Sequence, residues 1–195
     1  VSLNTAMQLV AVIFQLQSLN QFGGVSATHI DWTMVPYFRK SFMKHYIVAW
    51  AKEQESFVDT DFINMYADTY TDSVGVVRSV FDEWCDKNKA TFFESTGLTK
   101  EDFTLANKEK LDARCYNSAL CDTLQELRQA VEAMYHNLNT LQSRSGDQLP
   151  FTSINYGTCT LEEGRLVSRA LLLGSLESIG FHHNTPIFPC GIFQY

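Results

Sequence analysis

The chain has 195 residues, a formal net charge of −7 and a hydrophobic content of 45%, and its aromatic residues include 14 Phe and 8 Tyr. That length and apolar content suit one domain, or a coherent part of a larger one, and only 4 Pro and 10 Gly argue against a disordered or linker-rich chain. The net negative charge argues against a broad, positively charged surface that would bind nucleic acid or an anionic membrane. A few local hydrogen-bond donors can still bind a nucleotide phosphate.

The first predicted element is a helix from Ser2 to Phe22, because its apolar residues recur at helical spacing and Gly23–Gly24 supplies a stop. The apolar run Val10 to Phe14 is flanked by glutamines, and no basic region precedes it. We therefore predict neither a signal peptide nor a membrane span.

The next segment, Val25 to Trp32, is predicted to be short and irregular. Within it, His29 and Asp31 are close enough in sequence to form a local hydrogen-bonded pair. A second helix, rich in basic residues, is predicted from about Met34 to Ser56.

A third helix is predicted from a cap at Asp59 or Thr60 through Trp84, because its apolar residues again follow the helical period. The segment Lys87 to Arg114 is polar and charged, with a turn at Gly97. We interpret it as a surface connection that contains short helices.

The last part of the chain predicts a different order of elements. A strongly periodic helix from about Ser118 to Gln142 is followed by a loop, Ser143 to Gln148, and a strand, Leu149 to Tyr156. A helix and a second strand, Pro186 to Phe193, follow. A strand–helix–strand crossover normally joins two parallel, buried strands.

These elements predict a helix-rich α/β fold that forms a single partial domain over 1–195. Residues 1–142 make a mainly helical region, and residues 143–195 make a loop–strand–helix–strand region. The five cysteines show no CxxC pair, so they predict reduced thiols and neither a disulfide framework nor a zinc site.

Polar side chains on the first predicted strand are the main candidates for a site. Ser153 and Asn155 share one face of it, and either they line a cavity or a neighbouring strand or helix end satisfies them. The preceding loop, with Arg144 and Ser145, could offer a guanidinium and backbone N–H groups to a phosphate. Its spacing matches no phosphate-binding fingerprint, and by itself it is typical of an ordinary turn.

Several motifs, in the same order along the chain, resemble the class III (anaerobic, glycyl-radical) ribonucleoside-triphosphate reductases. They are QFGGVSATHID near the N-terminus, then HNLNTLQSR, SRSGDQLPFTSINYGT, EEGR and TPIFP. The middle of the chain, about Glu53 to Cys121, resembles the family only loosely. The resemblance implies that this chain is an internal piece of the large catalytic subunit of such an enzyme.

The resemblance implies a cytoplasmic enzyme that reduces ribonucleoside triphosphates to deoxyribonucleoside triphosphates. A glycyl radical, installed by a radical-SAM iron–sulfur activating enzyme, generates a thiyl radical on a finger-loop cysteine inside a ten-stranded α/β barrel. ATP and deoxynucleotide effectors, a structural zinc and a homodimer belong to the same family description. This chain would supply two barrel strands and flanking helices.

The resemblance also assigns candidate residues. Arg144, Ser145, Ser153 and Asn155 would lie beside the substrate cavity. The helices at the start of the chain correspond to the region of the family's dimer contact and specificity site. Gln15, Lys44 and His45 are therefore candidates to contact a deoxynucleotide effector.

We expect no catalytic residue and no metal ligand within this chain. It has no glycyl-radical motif, no zinc-binding cysteine pairs and no finger-loop cysteine motif, and Cys159 and Cys190 are interpreted as packing residues. The adjacent His182 and His183 lack the further ligands of a metal site. The chain alone is predicted to be inactive. The alternative is a nucleotide-binding regulatory or dimerisation module without catalysis.

Overall fold

A computed structural model of the chain describes residues 2–20, 23–54, 69–71, 77–140, 149–176 and 185–194. The described part is helix-rich and contains a small parallel sheet, which confirms the α/β class. The chain forms two compact units, one made of Val1–Ser41 with Thr123–Tyr195 and the other of Phe42–Asp122. The described helices and strands, in chain order, are α1 (Leu3–Asn20), β1 (Val25–Ala27), α2 (Ile30–Glu53), β2 (Thr69–Thr71), β3 (Val77–Ser79), α3 (Val80–Thr96), α4 (Ala113–Thr140), β4 (Thr152–Tyr156), α5 (Glu162–Leu176) and β5 (Cys190–Phe193).

The first unit contains a three-stranded sheet in the order β1–β4–β5, in which both neighbouring pairs are parallel. The predicted strand–helix–strand crossover through α5 is therefore confirmed. Both strands begin later than predicted, at Thr152 and Cys190. Pro150 and Pro189 explain the late starts, because proline has no N–H to donate to a ladder.

The segment predicted to be irregular contains strand β1, so that prediction was wrong. Val25–Ala27 pairs with Thr152–Ile154, and the Val25 N–H donates to the Phe151 carbonyl at 2.8 Å. Three residues are too few to show the two-residue period of a strand, so the pattern gave no signal. The second helix also begins earlier than predicted, at Ile30, with Asp31 in its first turn.

Two long helices of the prediction are confirmed. Helix α1 lies within the predicted range and buries Leu3, Met7 and Phe14 among others. Helix α4 begins five residues before the predicted Ser118, because the Asp112 carboxylate accepts hydrogen bonds from the backbone N–H groups of Arg114 and Cys115. Such a side-chain acceptor satisfies N–H groups that a helix start leaves without partners.

In the second unit, the third predicted helix was wrong at residues 69–71 and 77–79 and correct from Val80 to Trp84. Thr69–Thr71 and Val77–Ser79 form an antiparallel pair, while residues 55–68 and 72–76 lie outside the described residues. Threonine and tyrosine favour strands, and here that preference prevailed over the apolar period. Helix α3 begins at Val80, and Ser79 caps it by accepting a hydrogen bond from the Asp82 N–H at 3.1 Å.

The prediction of a polar surface connection between Lys87 and Arg114 was also wrong in part. Helix α3 continues to Thr96, and Gly97 ends it in the left-handed conformation (φ 68°), as the predicted turn required. Short 3-10 turns follow. Phe92 and Phe103 are 0% and 1% exposed and pack edge-on or tilted against each other and against Tyr46. These aromatic rings form the core of the second unit.

Candidate functional site at the parallel sheet

The two faces of the sheet differ in burial. On strand β4, Thr152, Ile154 and Tyr156 are 3%, 0% and 4% exposed, whereas Ser153 and Asn155 are half-buried. Gly191 belongs to the covered face, since a Cβ there would lie 2.8 Å from the Tyr156 hydroxyl. On strand β4 the protein therefore covers one face and leaves the face of Ser153 and Asn155 accessible, whereas all four residues of β5 are exposed.

The accessible face places polar side chains of all three strands in register. Ser26, Ser153 and Cys190 are neighbours across the sheet, and the Ser26 hydroxyl is 3.5 Å from the Asn155 side-chain oxygen. The structure thus brings Ser153 and Asn155 together and adds Ser26, which the sequence analysis did not single out. The only signal for Ser26 was its place inside the QFGGVSATHID motif.

A buried carboxylate fixes the loop that follows β4. Asp31 is 0% exposed, and its Oδ2 accepts hydrogen bonds from the N–H groups of Gly157 and Cys159, each at 2.9 Å. His29 Nδ1 lies 3.2 Å from the Thr158 hydroxyl. The predicted local pair of His29 and Asp31 was therefore wrong, because both side chains bind the loop instead. A contact between residues 126 positions apart has no local sequence signal.

Close packing holds the same loop against α5. A Cβ at Gly164 would lie only 2.6 Å from the Cβ of Cys159, and a Cβ at Gly157 would lie 2.7 Å from the Phe193 ring. Gly157 also has φ of 110°, a conformation that favours glycine. Burial raises the pKa of the Cys159 thiol, so this cysteine is protonated at neutral pH.

An ion pair anchors the first turn of α5 to α2. Arg39 Nε lies 2.9 Å from the Glu163 carboxylate, whose side chain is 3% exposed. Such a buried carboxylate needs a charged partner, because an unpaired charge is costly to remove from water. The buried Glu163 carboxylate is therefore engaged in an ion pair within the fold.

The other predicted site residues lie in different places. Gln15 is half-buried on α1, and its amide donates to the Asn137 carbonyl at 3.3 Å. Lys44 and His45 are half-buried residues of the second unit. Arg144 and Ser145 lie outside the described residues. These candidate assignments stay predictions.

Lys44 already has partners in its own unit. Its Nζ lies 2.6 Å from the Asp82 carboxylate and 4.7 Å from the centre of the Phe81 ring. Partial burial alone would raise the pKa of Asp82, but hydrogen bonds from Lys44 and Ser79 lower it below its ordinary value. An effector phosphate at Lys44 would therefore compete with Asp82.

One group of described residues has the composition of a metal site. The ligand atoms of Glu53, Asp112 and Cys115 lie within 4.8 Å of one another. The Cys115 thiol donates to Glu53 at 3.4 Å, and burial, followed by this hydrogen bond, raises its pKa to about 12. A metal at this group would have to displace the thiol proton and the hydrogen bond from Cys115 to Glu53.

Comparison with known proteins decides the family. A family model described as anaerobic ribonucleoside-triphosphate reductase matches residues 1–195. The chain belongs to this family. Among the described helices, none is long and apolar enough to cross a membrane.

Individual reductases of the family match at low identity. The chain is 23% identical over 188 residues to the anaerobic ribonucleoside-triphosphate reductase of Enterobacteria phage T4, covering 96% of this chain and 21% of that protein. The Salmonella typhimurium reductase is 21% identical over 192 residues, covering 98% and 19%. The Haemophilus influenzae reductase is 32% identical over 82 residues, covering 42% and 11%. The chain thus spans about a fifth or less of these relatives.

Proposed function

We propose that this chain is part of an anaerobic ribonucleoside-triphosphate reductase and forms a section of its barrel wall. The observation that carries the proposal is the family match over all 195 residues. The sheet supports it, because its three strands are parallel and its central strand, β4, has one covered face and one accessible polar face. In a barrel, alternate residues of each strand face the interior.

The accessible face would then be the interior face. Ser26, Ser153 and Asn155 would offer hydroxyl and amide groups to the ribose or base of a ribonucleoside triphosphate. The predicted loop residues Arg144 and Ser145 would lie beside the same cavity. The residues of this chain bind and orient the substrate in this proposal, and none of them takes part in radical transfer.

The radical chemistry would come from groups that this chain does not supply. A glycyl radical, installed by a radical-SAM iron–sulfur enzyme, would supply the radical chemistry at the ribose. A structural zinc, nucleotide effectors and a cytoplasmic location belong to the same proposal. The isolated chain is therefore expected to have no reductase activity.

Turnover by the complete reductase polypeptide tests this proposal. Replacing Asn155 with Ala should lower kcat/KM about tenfold, because one substrate hydrogen bond is worth about 1.4 kcal/mol. Ser175→Ala is the control, since the Ser175 hydroxyl donates to Leu172 within its own helix. Deoxynucleotide formation by the isolated chain, or equal kcat/KM in wild type and Asn155→Ala, would contradict the proposal.

A regulatory or dimerisation module is the second candidate, and helix α1 favours it. Its exposed apolar side chains lie at helical spacing and are Leu9, Val12, Ile13, Leu16 and Leu19, with exposed fractions between 45% and 59%. A second copy of the chain is the proposed occupant of this stripe, which would make a homodimer. An apolar stripe of this width is typical of a helix that packs against another element.

The module hypothesis also includes a deoxynucleotide effector at Gln15, Lys44 or His45. Titration of the chain with deoxynucleoside triphosphates separates the two candidates. Binding without turnover, lost in either Lys44→Gln or Gln15→Ala, would favour a regulatory module. Absence of binding in the dimer would leave the barrel section as the function.

A further inference from the structure

The loop after β4 and helix α5 border a cavity, separate from the accessible strand face. Its volume is about 370 Å³, and it is walled by the loop Gly157–Thr160, by helix α5 and by Phe193 of strand β5. Phe193 is paired with the buried Tyr156, so the cavity opens on the covered side of the sheet. Ligand pockets of this size are common in proteins.

Three polar side chains of α5 line this cavity together. Arg165, Ser168 and Arg169 are separated by three and four positions, so they share one face of the helix. Both arginines are exposed, and neither makes an ion pair with a residue in the described part of the chain. Two of the nearby carboxylates are already engaged, since Glu163 binds Arg39 and Asp31 binds the loop N–H groups.

Ser168 provides an independent observation that points to a ligand. Its side chain is 7% exposed, and its hydroxyl has no hydrogen-bond partner among the described residues. A buried hydroxyl without a partner costs free energy, which a ligand in the cavity would recover. Two guanidinium groups and a hydroxyl donor on one face of a helix match the oxygen atoms of a phosphate group.

The walls of the cavity are held in place without a ligand. Asp31 fixes the N–H groups of Gly157 and Cys159, and Gly164 lets Cys159 pack directly against α5. The cavity also lies beside the N-terminal half of a 15-residue helix, whose dipole favours negative charge near its start. A rigid, positively charged cavity loses little entropy when it binds an anion.

We propose that this cavity binds phosphate groups, with Arg165 and Arg169 as charged donors and Ser168 as the buried hydroxyl donor. Phosphate is the chemistry that inorganic phosphate and the polyphosphate tail of a nucleotide share. This inference does not depend on the reductase proposal, because it concerns the covered side of the sheet and is tested by binding alone.

The test is isothermal titration calorimetry of the chain with three probes: inorganic phosphate, tripolyphosphate and ATP. Tripolyphosphate is expected to bind, and Arg165→Gln and Arg169→Gln should each raise its Kd about tenfold, because each removes one charge-assisted contact. Arg114→Gln is the charge-matched control, since Arg114 is exposed and does not line the cavity. Arg165→Lys should recover part of the affinity.

Ser168→Ala distinguishes a ligand donor from a packing defect. We expect a threefold to fivefold higher Kd for tripolyphosphate, together with unchanged or higher stability without ligand, because the variant removes a hydroxyl that lacks a partner. Equal Kd values for ATP and tripolyphosphate would identify tail recognition, and binding of inorganic phosphate alone would identify the free ion. Failure of all three probes to bind, or an equal loss in Arg114→Gln, would overturn the proposal.

Discussion

The hydrogen bonds of Asp31 lead to the sharpest prediction for this fold. Replacing Asp31 with Ala leaves the N–H groups of Gly157 and Cys159 without their carboxylate partner and removes the acceptor of the Trp32 N–H. A hydrogen bond to a charged acceptor contributes about 1.5–3 kcal/mol, and the exposed fraction of Asp31 is 0%. Because the Gly157 N–H is only part-buried and regains water, we expect a total loss of about 4 kcal/mol.

Asp112→Ala is the matched control, because the Asp112 carboxylate also accepts hydrogen bonds from two backbone N–H groups but is exposed. Its loss should cost much less, because water can replace an exposed carboxylate as the partner of these N–H groups. Asp31→Asn keeps an oxygen acceptor without the charge and should fall between wild type and Asp31→Ala.

Urea unfolding and amide hydrogen exchange measure these effects. With a slope of about 2 kcal/mol per molar, the midpoint of Asp31→Ala should fall by roughly 2 M. Exchange should accelerate most at the amides of Gly157 and Cys159, because these lose their acceptor. A stability loss no larger than that of Asp112→Ala, or unchanged exchange at both amides, would refute the reasoning.

Three further predictions follow from other contacts. Gly164→Ala should lower the free energy of unfolding by about 1–3 kcal/mol, and the double variant with Cys159→Ala should regain part of it, because the new methyl group meets the Cys159 side chain. Hydrogen bonds from Lys110 and Thr99 lower the pKa of Asp102 from 3.8 to about 2. The contribution of ionised Asp102 to the free energy of unfolding is therefore present above pH 4 and is lost as the pH falls through 2. Lys110→Gln should raise that pKa toward 3.8 in an NMR titration. Leu16→Glu on α1 should abolish any dimer in light scattering, whereas a dimer that persists would exclude the α1 stripe as the interface.

The sequence predicts the elements whose signals are local and long. Helices α1 and α4 carry many periodic apolar residues, and the crossover through α5 follows from the order of elements. The family resemblance, carried by motifs at both ends of the chain, is confirmed by the family model. Ser153 and Asn155 were correctly placed on one strand face, because strand alternation follows from the backbone alone.

What could not be predicted depends on contacts between distant residues. Strand β1 forms because Val25–Ala27 pairs with β4, and the local sequence of neither segment predicts this pairing. Thr69–Thr71 took a strand conformation within a helical pattern, because pairing with Val77–Ser79 satisfies its backbone. Local periodicity records which residues are apolar and does not record which partner is available.

The proposed phosphate cavity also could not be predicted from the sequence, because its residues come together only in the folded chain. Ser168 gives no signal in the sequence, because a serine within a helix normally faces solvent or its own backbone. The packing of the β4–α5 loop, which Asp31 holds in place, makes the buried Ser168 line one cavity with the two exposed arginines. The shape of this cavity therefore depends on Asp31, which holds the loop but does not line the cavity. Variants of Asp31 should consequently weaken phosphate binding.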